Sequence, residues 1–579
     1  MKSLLFFVAV QLAAVSTFAT VGHLDLNGSW EFRFEQSCTI ETAGGPDFSA
    51  TDRMSVPGCF DMMPKWLCKR GTGLYRRTFT LEKAVQNAWI VVDGMGLRAR
   101  FAIDGRIVGG AKPFPWARLE IPTGPLPAGE HTIFAAVDNM LEWETQKLAL
   151  PYYDFYLYGG FFHGVSLSFD NRRLFVRTRD YRTGGVEIEA VGFREGDFDA
   201  VLVFDGTNKM SVAFKSFRAN VNVPGFRLWS PSSPNLHTVK LMDGREGSDP
   251  VCERFGIREI KAENRRLWLN GEILYLKGAN RHEAHPQFGA STPDTLMVQD
   301  IQLLKSLNGN FIRGSHYQQC RRFLDYCDEM GVLVWEESLG WGNTSKQMAD
   351  PDYFRLQVEQ TRAMVRTSMN HPSVIIFAFQ NENHSHTEEG RKMNEALIEA
   401  IKLEDSGRLV TFACNHVEKD ISNDNTDIIA FNTYPGWIGS QAGTFENQKR
   451  LIDECVTKIV RRYRNLYPEK PIIVSEMGTT AIYGYHDPAA AQGTEEFQYH
   501  YDRDVMDRIF ADPEISGLAL WHFADARTYH RDGSTIRSKL LAENMAGLYD
   551  GYRRAKMVVS AVKEAFSGKA AGEDAPPGK

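Results

Sequence analysis

Two glutamates stand directly after apolar runs in the second half of this chain of 579 residues. The run VIIFAFQ leads into Asn381 and Glu382, and the run PIIVS leads into Glu476. If both runs are strands of one parallel barrel, both carboxyl groups lie at the same mouth. Glycoside hydrolysis needs such a pair, because one carboxyl group protonates the leaving oxygen and the other meets the positive charge at the anomeric carbon. A salt bridge explains either glutamate alone equally well, so it is the pair that favours catalysis.

Other apolar runs also end in polar or aromatic residues. Sugar hydroxyls need hydrogen-bond donors and acceptors, and a pyranose can stack on an aromatic ring, although core packing is the alternative for each Trp. Candidates of this kind are Asn280, Arg281, His282, Glu283, Arg313, Ser315, His316, Tyr317, Asn415, His416, Asn432, Tyr434, Trp437, Trp521, His522 and Asp525. Four histidines on these loops show no paired metal-ligand spacing, so we expect neither a metal nor a cofactor. They are His282, His285, His316 and His384.

The elements that must position these residues form an alternating pattern. Eight apolar, β-branched runs begin after residue 260, at 273–277, 311–313, 332–336, 374–379, 409–413, 428–432, 471–475 and 517–521. Stretches of helical length separate most of them, at 295–307, 318–330, 352–369, 388–403, 445–467 and 494–510. This alternation predicts a parallel sheet, and eight strands predict a closed (β/α)8 TIM barrel over residues 260–570. A doubly wound sheet is the rival, but it would need a reversal of strand order that we cannot locate.

The first half of the chain has a different rhythm. Short alternating strands with frequent turns from residue 20 to 170 predict an antiparallel β-sandwich. A second β-rich stretch, residues 171–259, has the length of an immunoglobulin-like β-sandwich. We expect residues 571–579 to be a disordered tail.

The N-terminus and the bulk composition bound the cellular setting. Lys2 precedes apolar residues 4–10 and 12–15, and small residues follow at 17–19, which predicts a signal peptide over residues 1–19 and a secreted or periplasmic protein. A buried helix or a membrane anchor is the alternative, but this run is too short to span a bilayer, and we expect no membrane span elsewhere. The net charge of −7 argues against nucleic acid as a partner. One disulfide could form among Cys38, Cys59 and Cys68.

Several segments, in this order, resemble glycoside hydrolase family 2 of the β-glucuronidase and β-galactosidase type. They include GLYRRTFTL, YYDFYLYGGFFHGV, LKGANRHEAHP, HPSVIIFAFQNEN, NTYPGW, PIIVSEMGTT and LWHFAD. The resemblance implies a jelly-roll sugar-binding domain, an immunoglobulin-like sandwich and a catalytic barrel. It further implies a retaining exo-β-glycosidase with Glu382 as acid/base and Glu476 as nucleophile, and other subsite residues at Asp154, His316, Asn381, Asn432, Tyr434, Trp521 and Asn544.

The same resemblance leaves the sugar open. β-Glucuronidases hold the uronate carboxylate with an Asn-x-Lys motif, and here Asn544 is followed by Ala546 where the lysine should be. Basic residues of the preceding loop could bind a carboxylate instead, although solvated loop charges are the alternative. These residues are Arg527, His530, Arg531, Arg537 and Lys539. The substrate is thus a β-galactoside or other neutral hexoside, a galacturonide, or a glucuronide bound atypically.

Three further points concern a rival class of protein, the expected partner and the oligomeric state. A non-catalytic carbohydrate-binding protein is the rival from another class, but it has no need for a proton donor opposite a nucleophile. The expected partner is a carbohydrate, namely an oligosaccharide, a polysaccharide end or a glycoconjugate. Members of the family often form dimers or tetramers, and the sequence alone shows no interface for a homo-oligomer.

Overall fold

A computed structural model of the protein describes residues 22–109, 114–147, 155–245, 249–436, 445–529, 539 and 542–574. The predicted signal peptide lies outside the described residues. The multidomain architecture predicted from the sequence, two β-sandwiches followed by a TIM barrel, is confirmed.

The first sandwich consists of a six-stranded and a four-stranded antiparallel sheet. The larger sheet has the order β3-β2-β5-β10-β7-β8, and the smaller has the order β1-β12-β6-β9. Alternate residues of β2 face the core, where Trp30 and Phe32 are fully buried. The strands are β1 (His23–Asp25), β2 (Gly28–Gln36), β3 (Asp52–Val56), β4 (Gly58–Cys59), β5 (Gly71–Leu81), β6 (Trp89–Val92), β7 (Arg98–Ile103), β8 (Arg106–Val108), β9 (Leu119–Pro122), β10 (Gly129–Asp138), β11 (Gly160–Phe161) and β12 (Val165–Ser168). Helix α1 (Trp143–Gln146) follows β10.

The second sandwich packs a three-stranded sheet, β13-β14-β17, against a four-stranded sheet, β16-β15-β20-β21. Its core includes Ile188 from the first sheet and Leu202 from the second. The strands are β13 (Arg173–Asp180), β14 (Gly185–Val191), β15 (Phe198–Phe204), β16 (Asn208–Phe214), β17 (Arg218–Asn222), β18 (Trp229–Ser230), β19 (Ser233–Pro234), β20 (His237–Met242) and β21 (Val251–Phe255). A small sheet of β22 (Ile260–Glu263), β23 (Arg266–Leu269) and β24 (Glu272–Leu274) leads into the barrel.

The barrel is one parallel sheet in the order β29-β28-β27-β26-β25-β33-β32-β31-β30. The fifth predicted strand is divided at Phe412 into β29, which pairs with β28, and β30, which pairs with β31, so that eight predicted runs give nine strands. The strands are β25 (Leu276–Arg281), β26 (Phe311–Gly314), β27 (Leu333–Trp341), β28 (Val374–Asn381), β29 (Leu409–Thr411), β30 (Ala413–Cys414), β31 (Ile429–Asn432), β32 (Ile472–Met477) and β33 (Ile515–Leu520). Short strands β34 (Ala526–Arg527) and β35 (Glu543–Asn544) pair beyond β33.

Helices surround the barrel close to their predicted positions. Local sequence signals fix several ends: Asp350 caps α5 through the Asp352 and Tyr353 N–H groups, and Gly331 ends α3 in a left-handed conformation with φ 71°. The helices are α2 (Asp294–Ser306), α3 (Arg321–Met330), α4 (Ser345–Met348), α5 (Pro351–Ser368), α6 (Glu388–Glu404), α7 (Phe445–Leu466), α8 (Glu495–Phe510) and α9 (Val558–Ser567). No helix of the described residues is long and apolar enough to cross a bilayer.

Two features of the structure bear on the sequence-based expectations. Residues 571–573 of the predicted disordered tail form a 3-10 turn, in which Lys277 pairs with Glu573 and Arg266 donates to the Asp574 carbonyl, and residues 575–579 lie outside the described residues. All eight cysteines are free thiols, so no disulfide forms. Cys59 is buried, whereas Cys68 is exposed and its sulfur contacts Arg527 instead of another cysteine.

Candidate active site

A buried arginine at the end of β26 joins side chains from four other barrel strands. The Arg313 guanidinium donates to Asn280 Oδ1 at 2.7 Å, to Glu337 Oε1 at 2.7 Å and to Asn381 Oδ1 at 2.8 Å. It also donates to Glu476 Oε1 at 2.5 Å. Because these strands are parallel, their carboxyl ends meet at one barrel mouth, and Arg313 fixes the relative positions of the polar groups there.

Glu476 at the end of β32 accepts hydrogen bonds on both carboxylate oxygens. Besides the bond from Arg313, Tyr434 Oη donates to Glu476 Oε2 at 2.5 Å, and His316 Nε2 lies 3.8 Å from Oε1. Burial, followed by the charge of Glu476, raises the pKa of Tyr434 well above its usual value, so its hydroxyl remains a donor. These hydrogen bonds fix the position of the Glu476 carboxyl group.

Glu382 lies one residue beyond β28, where the chain turns sharply. Its φ of 55° is in the left-handed region, and its N–H donates to the Ala413 carbonyl at 2.9 Å. Asn432 Nδ2 donates to Glu382 Oε1 at 2.9 Å and to Asn381 Oδ1 at 3.0 Å. Burial and then the negative charge of Glu476 raise the pKa of Glu382 to about 8. Near neutral pH Glu382 therefore keeps its proton.

Aromatic and amide groups form one side of the mouth. The Trp521 and His316 rings stack at 5.4 Å between centroids with an interplanar angle of 12°, and His282 meets Trp521 edge-on at 5.4 Å. In the amide orientation that satisfies both donors, the Asn544 oxygen accepts from Trp521 Nε1 at 3.2 Å and from Lys539 Nζ at 3.2 Å. Burial lowers the pKa of Lys539 to about 7.

The structure brings together most of the residues selected from the sequence. One connected group contains Glu382, Glu476, His316, Asn381, Asn432, Tyr434, Trp521 and Asn544. Asp154, Arg531 and Arg537 lie outside the described residues.

Arg527 does not join this group. It contacts Met62 and Cys68 of the first sandwich, and its guanidinium lies 4.6 Å from the centre of the Tyr156 ring. The reason is strand alternation, because Arg527 pairs with Glu543 in the short sheet while Ala526 pairs with Asn544 on the opposite face. Among the basic loop residues that the structure describes, it is Lys539 that reaches Asn544.

Sequence reasoning did not assign a role to several residues that the structure places in the network. Asn280, His282 and Arg313 were named only as polar residues at the ends of apolar runs, and Glu337 was not named. His282 is buried between Trp521 and Phe155, and its Nε2 has no hydrogen-bond partner among the described residues. The signal that could have found Arg313 is its type, since a charged side chain that ends a barrel strand must meet an opposite charge.

Two described clusters have ligand atoms close enough for a metal ion. They are His163, Glu283 and Cys320, and Asp325, Asp328 and His371. Each also contains strong internal hydrogen bonds: His163 Nε2 lies 3.1 Å from Glu283 Oε2, and His371 Nδ1 lies 2.6 Å from Asp328 Oδ2. These clusters are therefore explained as packed ion pairs.

Comparisons with known proteins agree with the geometry. A family model for the TIM barrel domain of glycosyl hydrolases family 2 matches residues 260–566. The β-glucuronidase of Streptococcus agalactiae serotype V is 25% identical over 93% of this chain and 95% of its own length. The crystal structure of a β-galacturonidase from Eisenbergiella tayi bound to galacturonate has a TM-score of 0.83 at 28% identity, covering 95% of this chain and 98% of that chain. Because the family model spans more than half of the chain, the protein belongs to glycoside hydrolase family 2 and is a glycosidase.

Proposed function

We propose that the protein is a retaining exo-β-glycosidase in which Glu476 is the nucleophile and Glu382 the acid/base. The observation that carries this assignment is the joint fixing of the two carboxyl groups, since Asn432 binds Glu382 and Asn381 while Arg313 binds Asn381 and Glu476. Retention requires the two carboxyl groups to stand about 5–5.5 Å apart, against about 6.5–9.5 Å for inversion.

The proposed reaction has two displacements. First, Glu476 Oε attacks the anomeric carbon, the bond from that carbon to the leaving oxygen breaks, and Glu382 gives its proton to that oxygen. The glycosyl ester removes the charge of Glu476, which is one of the causes that raise the pKa of Glu382. The pKa of Glu382 therefore falls, and its carboxylate takes a proton from the attacking water. The water oxygen bonds to the anomeric carbon as the bond from that carbon to Glu476 Oε breaks, which releases the sugar and restores both carboxyl groups.

A terminal β-linked hexuronic acid is the substrate class that we favour. Lys539 brings its amino group to the Asn544 amide, which is itself bonded to the Trp521 indole. Burial lowers the pKa of Lys539 to about 7, and a bound carboxylate would favour the charged ammonium form of this group. An ammonium group beside Asn544 can neutralise the carboxylate of a bound uronic acid and so replace the missing lysine of the Asn-x-Lys motif. The Eisenbergiella tayi relative is a β-galacturonidase, and several curated relatives are β-glucuronidases. We therefore propose that galacturonides and glucuronides are preferred over neutral hexosides.

The test of the catalytic assignment is the Glu476→Gln variant. Wild type and variant are assayed side by side with aryl β-galacturonide, β-glucuronide and β-galactoside. We expect the wild type to cleave at least one of these substrates and the variant to cleave none. Glu389→Gln on the exposed start of α6 is the matched control and should retain full activity. Turnover by Glu476→Gln would refute the nucleophile, and saturable binding without release of any leaving group would favour a carbohydrate-binding protein.

The test of the substrate class is Lys539→Met, which keeps most of the length of the side chain but removes its amino group. We expect kcat/KM for the uronide to fall about tenfold or more while kcat/KM for the matching neutral hexoside changes little, because only the uronide carries a carboxylate. Equal losses for both substrates would contradict the role of Lys539.

Export is a separate proposal. The apolar run after Lys2 and the small residues at 17–19 support a signal peptide. N-terminal sequencing of the mature protein should begin near residue 20, and an intact Met1 would argue against export.

A further inference from the structure

Three histidines lie together on the acid/base side of the barrel mouth. His384 and His386 follow Glu382 by two and four residues, and His416 follows Asn415, whose side chain hydrogen-bonds Glu382. The ring centroids are 5.1 Å apart for His384 and His386, 4.1 Å for His386 and His416, and 5.5 Å for His384 and His416. All three are partly exposed, so a species from solvent can reach them.

Hydrogen bonding does not explain why these imidazoles cluster. His384 Nδ1 accepts from the Ser345 N–H at 3.3 Å, but His386 Nδ1 is buried without any hydrogen-bond partner. The part of the chain that the structure describes supplies no hydrogen bond to the His416 ring. Buried polar atoms normally find partners, so an atom left without one indicates a missing ligand or water.

The backbone holds the three residues at this spacing. The His384 N–H donates to the Asn343 carbonyl at 2.9 Å, and the Thr387 N–H donates back to the His384 carbonyl at 3.1 Å. His416 is held by the turn in which the Lys419 and Asp420 N–H groups donate to its carbonyl at 2.9 Å. The cluster therefore joins the loop after β28 to the loop after β30.

The ring separations match those around a tetrahedral metal ion. Zinc binds histidine nitrogen at about 2.0–2.1 Å, which puts the centres of three coordinated imidazoles about 5 Å apart. The observed separations are 4.1–5.5 Å. The three sets of ring nitrogens do not all lie within 4.8 Å of one another, so binding requires rotation of an imidazole about its side-chain bonds. That motion is available because the side chains are partly exposed.

We propose that His384, His386 and His416 form a site for a divalent transition-metal ion such as Zn²⁺ or Ni²⁺. Imidazole ligands suit these ions, whereas Mg²⁺ and Ca²⁺ require oxygen ligands. The pair His384-x-His386 with a third histidine from the neighbouring strand end leaves a fourth position for water. The metal ligands considered from the sequence included His384 but grouped it with His282, His285 and His316 of other loops.

The position of this site predicts that the metal inhibits the enzyme. The leaving group departs on the side of the acid/base residue, and a metal with its bound water next to Glu382 narrows that side. This half of the proposal rests on the proposed function, whereas metal binding itself does not.

The test is calorimetric titration of the untagged full chain with Ni²⁺, followed by turnover assays with the same ion. We expect one site per chain in the wild type, affinity more than about tenfold weaker in His386→Ala and His416→Ala, and inhibition that is relieved in both variants. His500→Ala, an exposed histidine on α8, is the matched control and should bind Ni²⁺ like the wild type.

The outcomes separate the two halves. Absence of Ni²⁺ binding, or binding that both variants retain at full affinity, would overturn the site. Binding at the site without loss of turnover would overturn the inhibition alone. A protein that cleaves no glycoside but binds Ni²⁺ through these histidines would refute the proposed function and leave the site intact.

Discussion

Arg313 is the residue on which the arrangement of the mouth depends. Its single positive charge faces two carboxylates, Glu337 at 2.6 Å and Glu476 at 2.5 Å, and both are almost fully buried. Removal of the guanidinium would leave these two buried carboxyl groups without their shared cation, and breaking one buried ion pair costs about 3–5 kcal/mol. Substitution of Arg313 would therefore confound folding with catalysis, and residues at the edge of the network are better probes.

Tyr434→Phe is such a probe, because it removes one hydrogen bond from Glu476 and leaves the Arg313 bond in place. A hydrogen bond to a charged group contributes about 1.5–3 kcal/mol, so we expect kcat/KM to fall about 10- to 100-fold. The measurement is steady-state kinetics on the best aryl β-glycoside, with thermal unfolding as the check that the fold persists. Unchanged kinetics would show that Tyr434 does not act on the nucleophile.

The pKa of Glu382, raised to about 8, predicts the alkaline limit of activity. The acid must carry its proton, so kcat/KM should be level below about pH 8 and fall about tenfold per pH unit above it. In Glu382→Gln this limb should disappear, and substrates with poor leaving groups should lose far more activity than aryl substrates with good ones. A limb near pH 8 that persists in Glu382→Gln would assign it to another group.

At the scale of elements, the sequence predicts each barrel strand and most helices, since long apolar runs and helix caps are local signals. Tertiary contacts decide what it misses. Helix α3 begins at Arg321 and not at 318, because the Gln319 and Cys320 N–H groups donate to the buried carboxyl groups of Glu336 and Glu283. The proximity of the proposed catalytic residues Glu382 and Glu476 was predictable, because both follow the ends of barrel strands. The network through Arg313 was not, because it depends on which side chains meet across the barrel.

Glu336 on β27 offers a test of stability at this scale. Burial raises its pKa from the usual 4.5 to about 8, so the folded chain keeps a proton that the unfolded chain releases. Its contribution to stability is full below about pH 4.5 and declines as the pH rises towards 8. Glu336→Gln can still accept from the Gln319 N–H but cannot ionise. In the wild type Ser368 Oγ donates to Glu336 Oε2, and in the variant this hydroxyl must turn to accept from the amide NH2. As the pH rises from 5 to 8.5, we expect the free energy of unfolding of the variant to increase by at least about 1 kcal/mol relative to that of the wild type.

Glu337, the next residue on β27, should behave in the opposite way. Burial raises its pKa, but Arg313 outweighs this and holds it below the usual value. Its contribution is therefore present above about pH 4.5 and lost at lower pH, so Glu337→Gln should destabilise the protein at neutral pH. Urea unfolding at several pH values measures both variants, and a common response would refute the assignment for Glu336.

At the scale of the whole molecule, the two sandwiches contact different parts of the barrel. The second sandwich and its link pack near the start of β28, where Arg258 donates to the Pro372 and Val374 carbonyls. The first sandwich reaches the barrel mouth, where Phe155 stacks on His282 at 5.4 Å between ring centroids. Residues 155–158 therefore connect the first sandwich to the proposed active site, directly after Asp154, which we predict to bind a distal hydroxyl of the sugar.

Tyr529 anchors this connection, since its hydroxyl accepts from Arg70 at 2.7 Å and from the Leu157 N–H at 2.9 Å. Tyr529→Phe removes the oxygen that accepts both hydrogen bonds, while the ring remains stacked on Tyr156 at 5.0 Å. Because the loss affects substrate positioning and not the carboxyl pair, we expect KM to rise about two- to tenfold with little change in kcat. Tyr156→Phe is the matched control, because the Tyr156 hydroxyl is buried without a hydrogen-bond partner among the described residues. An equal rise in KM for both variants would show that the Tyr529 hydroxyl is not what positions residues 155–158 beside the sugar.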